Sequence, residues 1–228
     1  MGELATPQFW VAVVQIIVIN ILLSGDNAVV IALACRNLPA RQRKFGILWG
    51  VVGAIVLRII LTFFAVSLLA LPYLKLVGAA LLVWIGVKLI IEDDEGEPDV
   101  KTHDRLWAAV RTVIIADAVM SLDNVIGVAG AAKGSMTLLV FGLVVSIPIV
   151  VVGSQLIMKL IERMPWLVIA GGGLLGYIAG DIAAEDPAIA PWAAANVPQL
   201  HIIAPAVGAV FVVAVGMWLT RRRHAVQP

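Results

Sequence analysis

Residues 46–70 read GILWGVVGAIVLRIILTFFAVSLLA, and Arg58 is the only charged side chain among them. An α-helix rises about 1.5 Å per residue, so about 20 apolar residues cross the hydrocarbon core of a bilayer. This run is long enough to cross and is apolar on all sides. It therefore predicts a membrane-spanning helix rather than a helix of a soluble domain.

Six further apolar runs have a similar character. The seven predicted spans cover approximately residues 9–35, 46–70, 73–91, 107–132, 136–158, 166–183 and 203–220. Composition agrees, because hydrophobic residues make up 61% of the 228 residues and charged residues 14%, against about 45–50% and about 25% in soluble domains. We predict an all-α polytopic membrane protein, with residues 1–228 forming one transmembrane domain and the bilayer as a partner.

The basic residues predict the orientation of these spans. Of the 16 Lys and Arg residues, 13 fall on the side that receives the C-terminal cluster Arg221–Arg223, or near it. Cytoplasmic loops are rich in Lys and Arg, so we expect the N-terminus outside and the C-terminus in the cytoplasm. The run at 9–35 is too long for the apolar part of a signal peptide, which has about 7–15 residues.

Two pairs of segments indicate an internal repeat. The segment NILLSGDN at 20–27 in span one recurs as DAVMSLDN at 117–124 in span four. The segment GAALLVWIGVKLIIED at 78–93 recurs as GGGLLGYIAGDIAAED at 171–186. The two offsets, 97 and 93 residues, are nearly equal, so spans one to three correspond in order to spans four to six.

A repeat of three spans has a topological consequence. Because three is odd, the second copy must enter the membrane from the opposite face. The predicted architecture is therefore two inverted three-helix repeats, at about 9–93 and 107–186, plus an extra helix at about 203–220. Inverted repeats are typical of transporters, whose binding site lies near the bilayer midplane between the two copies.

Ionisable side chains within spans cost roughly 2.5–3.5 kcal/mol each on insertion scales, so each suggests a functional site. The chain has five deep ones: Asp26, Arg58, Asp117, Asp123 and Asp181. Polar side chains accompany them at Asn20, Ser24, Asn27, Ser121 and Asn124. Except for Arg58, this set offers oxygen ligands, which suit hard cations such as Mg²⁺, Ca²⁺ or Mn²⁺ better than Cu⁺ or Zn²⁺.

The two Asp-Asn motifs predict one shared metal site. Its expected ligands are Asp26, Asn27, Asp117, Asp123 and Asn124. The other polar residues are secondary pathway candidates: Asn20, Ser24, Ser121, Arg58 and Asp181. Four carboxylates against one guanidinium leave about three negative charges, which a divalent cation would largely neutralise. Protonation could replace the metal, which favours exchange of metal for protons.

The residues leave several features of the site open. Gly25 could break the first helix beside Asp26, and unwound spans would free carbonyls for a cation. Asn and Ser side chains in spans can instead serve only as hydrogen bonds between helices. Arg58 suits a structural counter-ion as well as a gate, and Asp181 suits either a transport pathway or an anchor at the membrane surface.

Three segments carry a resemblance to a known family. The segments SGDNAVVIA at 24–32, SLDNV at 121–125 and GYIAGD at 176–181 resemble TerC-type integral membrane proteins, in their YjbE-like bacterial branch. The resemblance implies a seven-span protein of the bacterial plasma membrane that exports Mn²⁺. It also implies that the family's acidic motif residues correspond to Asp26, Asp117 and Asp123.

Three functional hypotheses follow. The first is export of a divalent metal, with Mn²⁺ the expected substrate and no permanent cofactor. The second is export of amino acids or other small cations, and the third is a non-transporting membrane partner in metallation or stress response. No nucleophile–base arrangement or cofactor motif suggests an enzyme, and the net charge of +1 suggests no nucleic-acid partner. Metal preference, energy source and oligomeric state are not encoded in any motif.

Overall fold

The structure of the chain is a computed structural model. It describes residues 10, 11, 14, 18, 25–91, 102–131 and 136–224, and for 123–131, 136–139 and several scattered positions it describes the backbone only. Within these residues every regular element is an α-helix. The all-helical prediction is therefore confirmed for the part of the chain described.

Eight helices follow one another along the described chain. They are α1 (Gly25–Cys35), α2 (Ala40–Leu69), α3 (Leu74–Ile91), α4 (Thr102–Ala131), α5 (Met136–Arg163), α6 (Trp166–Ala184), α7 (Ala190–Asn196) and α8 (Leu200–His224). Proline stands at two of the boundaries, where its fixed φ suits the start of a helix and its missing N–H needs no partner. Pro72 precedes α3, and Pro165 precedes α6.

Among the residues that the structure describes, five helices are long and apolar enough to cross a bilayer. They contain the segments Ala40–Phe64, Leu74–Ile91, Leu143–Arg163, Trp166–Ala184 and Leu200–Arg223. The chain is thus an integral membrane protein with several apolar helices. Most of the first predicted span and many side chains of the fourth lie outside the described residues, so the seven-span count stays a prediction, as does the inverted repeat.

Small residues bring neighbouring helices into close contact, as is common in membranes. A Cβ atom on Gly176 of α6 would collide with the backbone of Gly208 in α8, and one on Gly180 would collide with the backbone of Ala204. These contacts pair the second half of α6 with the beginning of α8 in reverse order, so α6 and α8 run antiparallel. Any larger side chain at Gly180 would push the two backbones apart.

Asp186 joins the end of α6 to the beginning of α3. Its fully buried carboxylate accepts hydrogen bonds from the backbone N–H groups of Tyr73 at 2.9 Å, Leu76 at 3.2 Å and Ala188 at 2.8 Å. Burial opposes ionisation, but these bonds outweigh it and hold the pKa of Asp186 below its usual value. The carboxylate thus caps a helix N-terminus beside Tyr73, whose φ of 66° is unusual for a non-glycine residue.

The backbone of the fourth predicted span answers one question that the sequence left open. A break in the spans beside the Asp-Asn motifs would have freed carbonyls for a cation, but α4 is continuous from Thr102 to Ala131. The physical reason is in the sequence, since residues 117–124 contain no glycine or proline that would interrupt the helix. In the first span, α1 begins at Gly25, at the border of the described residues.

Candidate functional site

A buried ion pair between α2 and α4 forms the centre of the site. The Arg58 guanidinium donates from Nη2 to Asp117 Oδ1 at 2.6 Å and from Nε to Ser121 Oγ at 2.9 Å. Ser121 Oγ in turn donates to Asp117 Oδ2 at 3.0 Å. Arg58 is 5% exposed, Asp117 8% and Ser121 0%, so three polar residues form a closed hydrogen-bonded ring within the protein.

Two glycines on α2 position this ring. A Cβ on Gly50 would lie 3.0 Å from Cγ1 of Val113, and one on Gly53 would lie 2.5 Å from Cδ1 of Ile114. The two backbones can therefore approach closely, and the order of these contacts shows that α2 and α4 run parallel. Arg58 lies two helical turns beyond Gly50, and Asp117 and Ser121 lie one and two turns beyond Val113, so the long arginine side chain is within reach of both.

A small cavity lies beside the ion pair. Its volume is about 20 Å³, which is room for about one water-sized sphere. Four helices line it, through the residues Asn27, Ile31, Val51, Ala54, Ile55, Arg58, Asp117 and Val150. Three of these eight lining residues are polar and the other five are apolar.

The apolar walls were not predicted from the sequence, although a signal for them exists. Positions 51, 54, 55 and 58 share one face of α2, since residues three and four apart lie above one another. Asn27 and Ile31 are related in the same way on α1. The burial of Arg58 therefore points to its neighbours on the same face of the helix as lining residues.

The first Asp-Asn motif contributes both of its residues to this region. Asn27 is 5% exposed and lines the cavity. Asp26 is half-buried, accepts a hydrogen bond from the Asn27 N–H at 2.7 Å and is close enough to Arg58 and Asp117 to interact electrostatically with both. Asp26 and Asn27 therefore lie in the same region as Asp117, and a metal site shared by the two motifs stays a prediction.

The remaining predicted residues are placed differently. The backbone at Asp123 and Asn124 belongs to α4, but their side chains lie outside the described residues, as do Asn20 and Ser24. By helical register Asn124 shares the face of Asp117, whereas Asp123 lies about 120° around the axis. Asp181 has an exposed side chain on α6 and is not among the residues that line the cavity.

The donor set of the described site is oxygen only. Asp26, Asn27, Asp117 and Ser121 offer carboxylate, amide and hydroxyl oxygens, which are the ligands of hard cations. Among the side chains that the structure describes, no three His, Cys, Asp or Glu groups converge on one point. The cationic group that is paired with the Asp117 carboxylate in this structure is the guanidinium of Arg58.

Comparison with known proteins agrees with the resemblance found in the sequence. The profile of the integral membrane protein TerC family matches residues 5–224. The membrane protein YjbE of Bacillus subtilis is 44% identical over 178 residues, which are 78% of this chain and 81% of that protein. YceF of the same organism is 30% identical over 188 residues, covering 78% of this chain and 73% of YceF. No solved structure matches significantly.

Proposed function

Because this chain belongs to the TerC family of integral membrane proteins, we propose that it is a transporter that exports a divalent metal cation, with Mn²⁺ as the first candidate. The observation that carries the proposal is the buried pair of Arg58 and Asp117 beside a cavity between apolar helices. Ionisable side chains within membrane-spanning segments rarely lack a function. The direction of transport rests on the family resemblance alone.

The charge and chemistry of the site support a divalent cation. Asp26 and Asp117 supply two carboxylates within electrostatic range of each other, and Asn27 adds a neutral amide oxygen. In a low dielectric, two carboxylates attract a divalent ion strongly. Asn124 shares the face of Asp117 and is proposed as a further ligand of the same ion. Asp123 lies about 120° around the continuous helix α4, so its proposed place in the ligand set requires a local rearrangement of that helix.

The helix directions support the proposed topology. Helices α2 and α4 run parallel, and α6 runs antiparallel to α8 and to α3, whose beginning meets the end of α6 at Asp186. These directions agree with spans that cross the membrane alternately. Seven spans, two inverted repeats, an external N-terminus and a place in the bacterial plasma membrane belong to the same proposal.

Metal flux into proteoliposomes tests the proposal. Mn²⁺, Mg²⁺, Ca²⁺, Zn²⁺ and amino acids are each offered alone to vesicles that contain the purified protein, and Mn²⁺ should be transported. A pH-sensitive dye inside the vesicles should report proton exchange. Protein-free vesicles and the Asp26→Asn variant serve as controls. Transport of amino acids without any divalent metal would replace this proposal by the second hypothesis, and absence of any flux would favour a non-transporting partner.

A further inference from the structure

The Arg58 guanidinium already holds the position at Asp117 that a transported cation would take. It is a monovalent cation attached to the protein, and it is paired within a buried ring. We propose that Arg58 is a specificity-determining residue, a tethered monovalent cation that admits divalent ions to Asp117 and keeps monovalent ions out. This inference rests on the proposed function, because it requires a cation site at Asp117.

The first step of the argument is the occupancy of the carboxylate. Asp117 Oδ1 accepts from Arg58, and Asp117 Oδ2 accepts from Ser121, which itself accepts from Arg58 Nε. Both oxygens of the carboxylate are therefore engaged before any metal arrives. An incoming ion cannot bind Asp117 without replacing or sharing these bonds, so it competes directly with the guanidinium.

The second step is the charge of the competitor. Hydrogen bonds between ionised partners are stronger than neutral ones. A Na⁺ or K⁺ ion has the same charge as the guanidinium, so displacing it gains little Coulomb energy from Asp117 and loses the bond to Ser121. A divalent ion has twice the charge and attracts the carboxylate about twice as strongly at the same distance. Only the divalent ion has an advantage over Arg58.

The third step concerns the space available for an ion and the second carboxylate, that of Asp26. The cavity of about 20 Å³ reaches both Arg58 and Asp117, so one ion can lie next to the pair without a rearrangement of helices. Asp26 interacts electrostatically with both charges, and it increases the attraction for a divalent ion more than for a monovalent one. When the ion leaves, the guanidinium can return to Asp117, which aids release.

The experiment measures the KM and kcat for Mn²⁺ flux in proteoliposomes, in buffers whose main cation is Na⁺, K⁺ or the bulky organic cation N-methyl-D-glucamine. For the wild type, the KM should be the same in all three. For Arg58→Gln, the KM in the organic cation should fall at least tenfold and kcat should fall as well. Added Na⁺ or K⁺ should then raise the KM of this variant at least tenfold.

Two further variants keep the test decisive. Arg58→Lys retains the charge, so its KM should stay insensitive to Na⁺ and K⁺. Ser121→Ala keeps both charges but removes the hydrogen bond that Arg58 Nε donates to Ser121 Oγ, so the KM for Mn²⁺ should fall about threefold. This variant tests the inference if Arg58→Gln does not fold. The matched control is Arg36→Gln, since buried Arg36 donates to the Leu89 carbonyl at 2.8 Å, away from the cavity, and should leave KM unchanged.

The contradicting results are equally specific. A folded Arg58→Gln protein whose KM is not lower than the wild-type value, and does not respond to Na⁺ or K⁺, would overturn the inference. An unchanged or higher KM in Ser121→Ala would also overturn it, because that residue would then be neutral or a ligand. Wild-type protein that transports no metal would instead refute the proposed function, so the two failures are distinguishable.

Discussion

Replacing Asp117 by Asn should destabilise the protein much more than the same replacement at Asp26. Asn has nearly the shape of Asp and can still accept a hydrogen bond, but it removes the charge that balances Arg58, which is only 5% exposed. Breaking a buried pair by removing one partner costs about 3–5 kcal/mol, because the other charge is left uncompensated. Asp26 is half-buried and belongs to no described salt bridge.

The magnitude can be expressed as a change in melting temperature. A domain of this size loses roughly 2–4 °C for each kcal/mol, so Asp117→Asn should lower the Tm by about 6–20 °C. Asp26→Asn, the matched control, should lower it by less than about 3 °C. Thermal unfolding of the purified proteins in one detergent, followed by circular dichroism, measures both values.

A double variant tests the cause of the loss. If the uncompensated charge of Arg58 is responsible, adding Arg58→Met to Asp117→Asn should recover a large part of the lost Tm, since neutral replacements of buried pairs are often tolerated. The reasoning is refuted if Asp117→Asn melts within about 2 °C of the wild type. It is equally refuted if the losses of the two single variants simply add in the double variant.

Further predictions concern transport, selectivity, topology and acid stability. Asp26→Asn and Asp123→Asn should each abolish metal flux while expression stays near normal, and wild-type flux in either one would remove that residue from the ligand set. Mn²⁺ should raise the Tm of the purified protein and Cu⁺ or tellurite should not, because the ligands are oxygens; stabilisation by a soft metal would contradict this. Cysteine labelling should find position 3 outside and position 222 in the cytoplasm, and an external position 222 would reverse the orientation. Asp186→Ala should lower the free energy of unfolding by about 1–3 kcal/mol, because it leaves buried N–H groups without an acceptor. The pKa of Asp186 is lowered in the folded protein, so its stabilising contribution is present above pH about 4 and is lost as the pH falls through the folded pKa. The stabilities of wild type and variant should therefore converge only in acid.

Much of the fold could be predicted because bilayers impose simple rules on sequence. Apolar length predicted the positions of α2, α3, α5, α6 and α8. The helix ends were less accurate. For example, α2 begins at Ala40, before the predicted start at 46, because its first turns carry Arg and Lys side chains that can lie at the membrane surface. Apolar length alone does not detect such polar extensions.

The site was only partly predictable, because its contacts are tertiary. Burial of Arg58 and Asp117 followed from their apolar neighbours, but which carboxylate pairs with Arg58 depends on the packing of α2 against α4 through Gly50 and Gly53. The role of Asp186 was missed for the same reason. In the sequence it is one of several acidic residues, and its backbone partner at Tyr73 lies 113 positions away.

The central claim is that a divalent ion binds where Asp26, Asn27 and Asp117 meet, and anomalous X-ray scattering tests it most directly. Crystals of the wild-type protein soaked with Mn²⁺ should give an anomalous peak within about 2.6 Å of carboxylate oxygens of Asp26 and Asp117, with the Arg58 guanidinium shifted away from Asp117. A peak bound only at surface carboxylates, with the bond between Arg58 and Asp117 intact, would contradict the account.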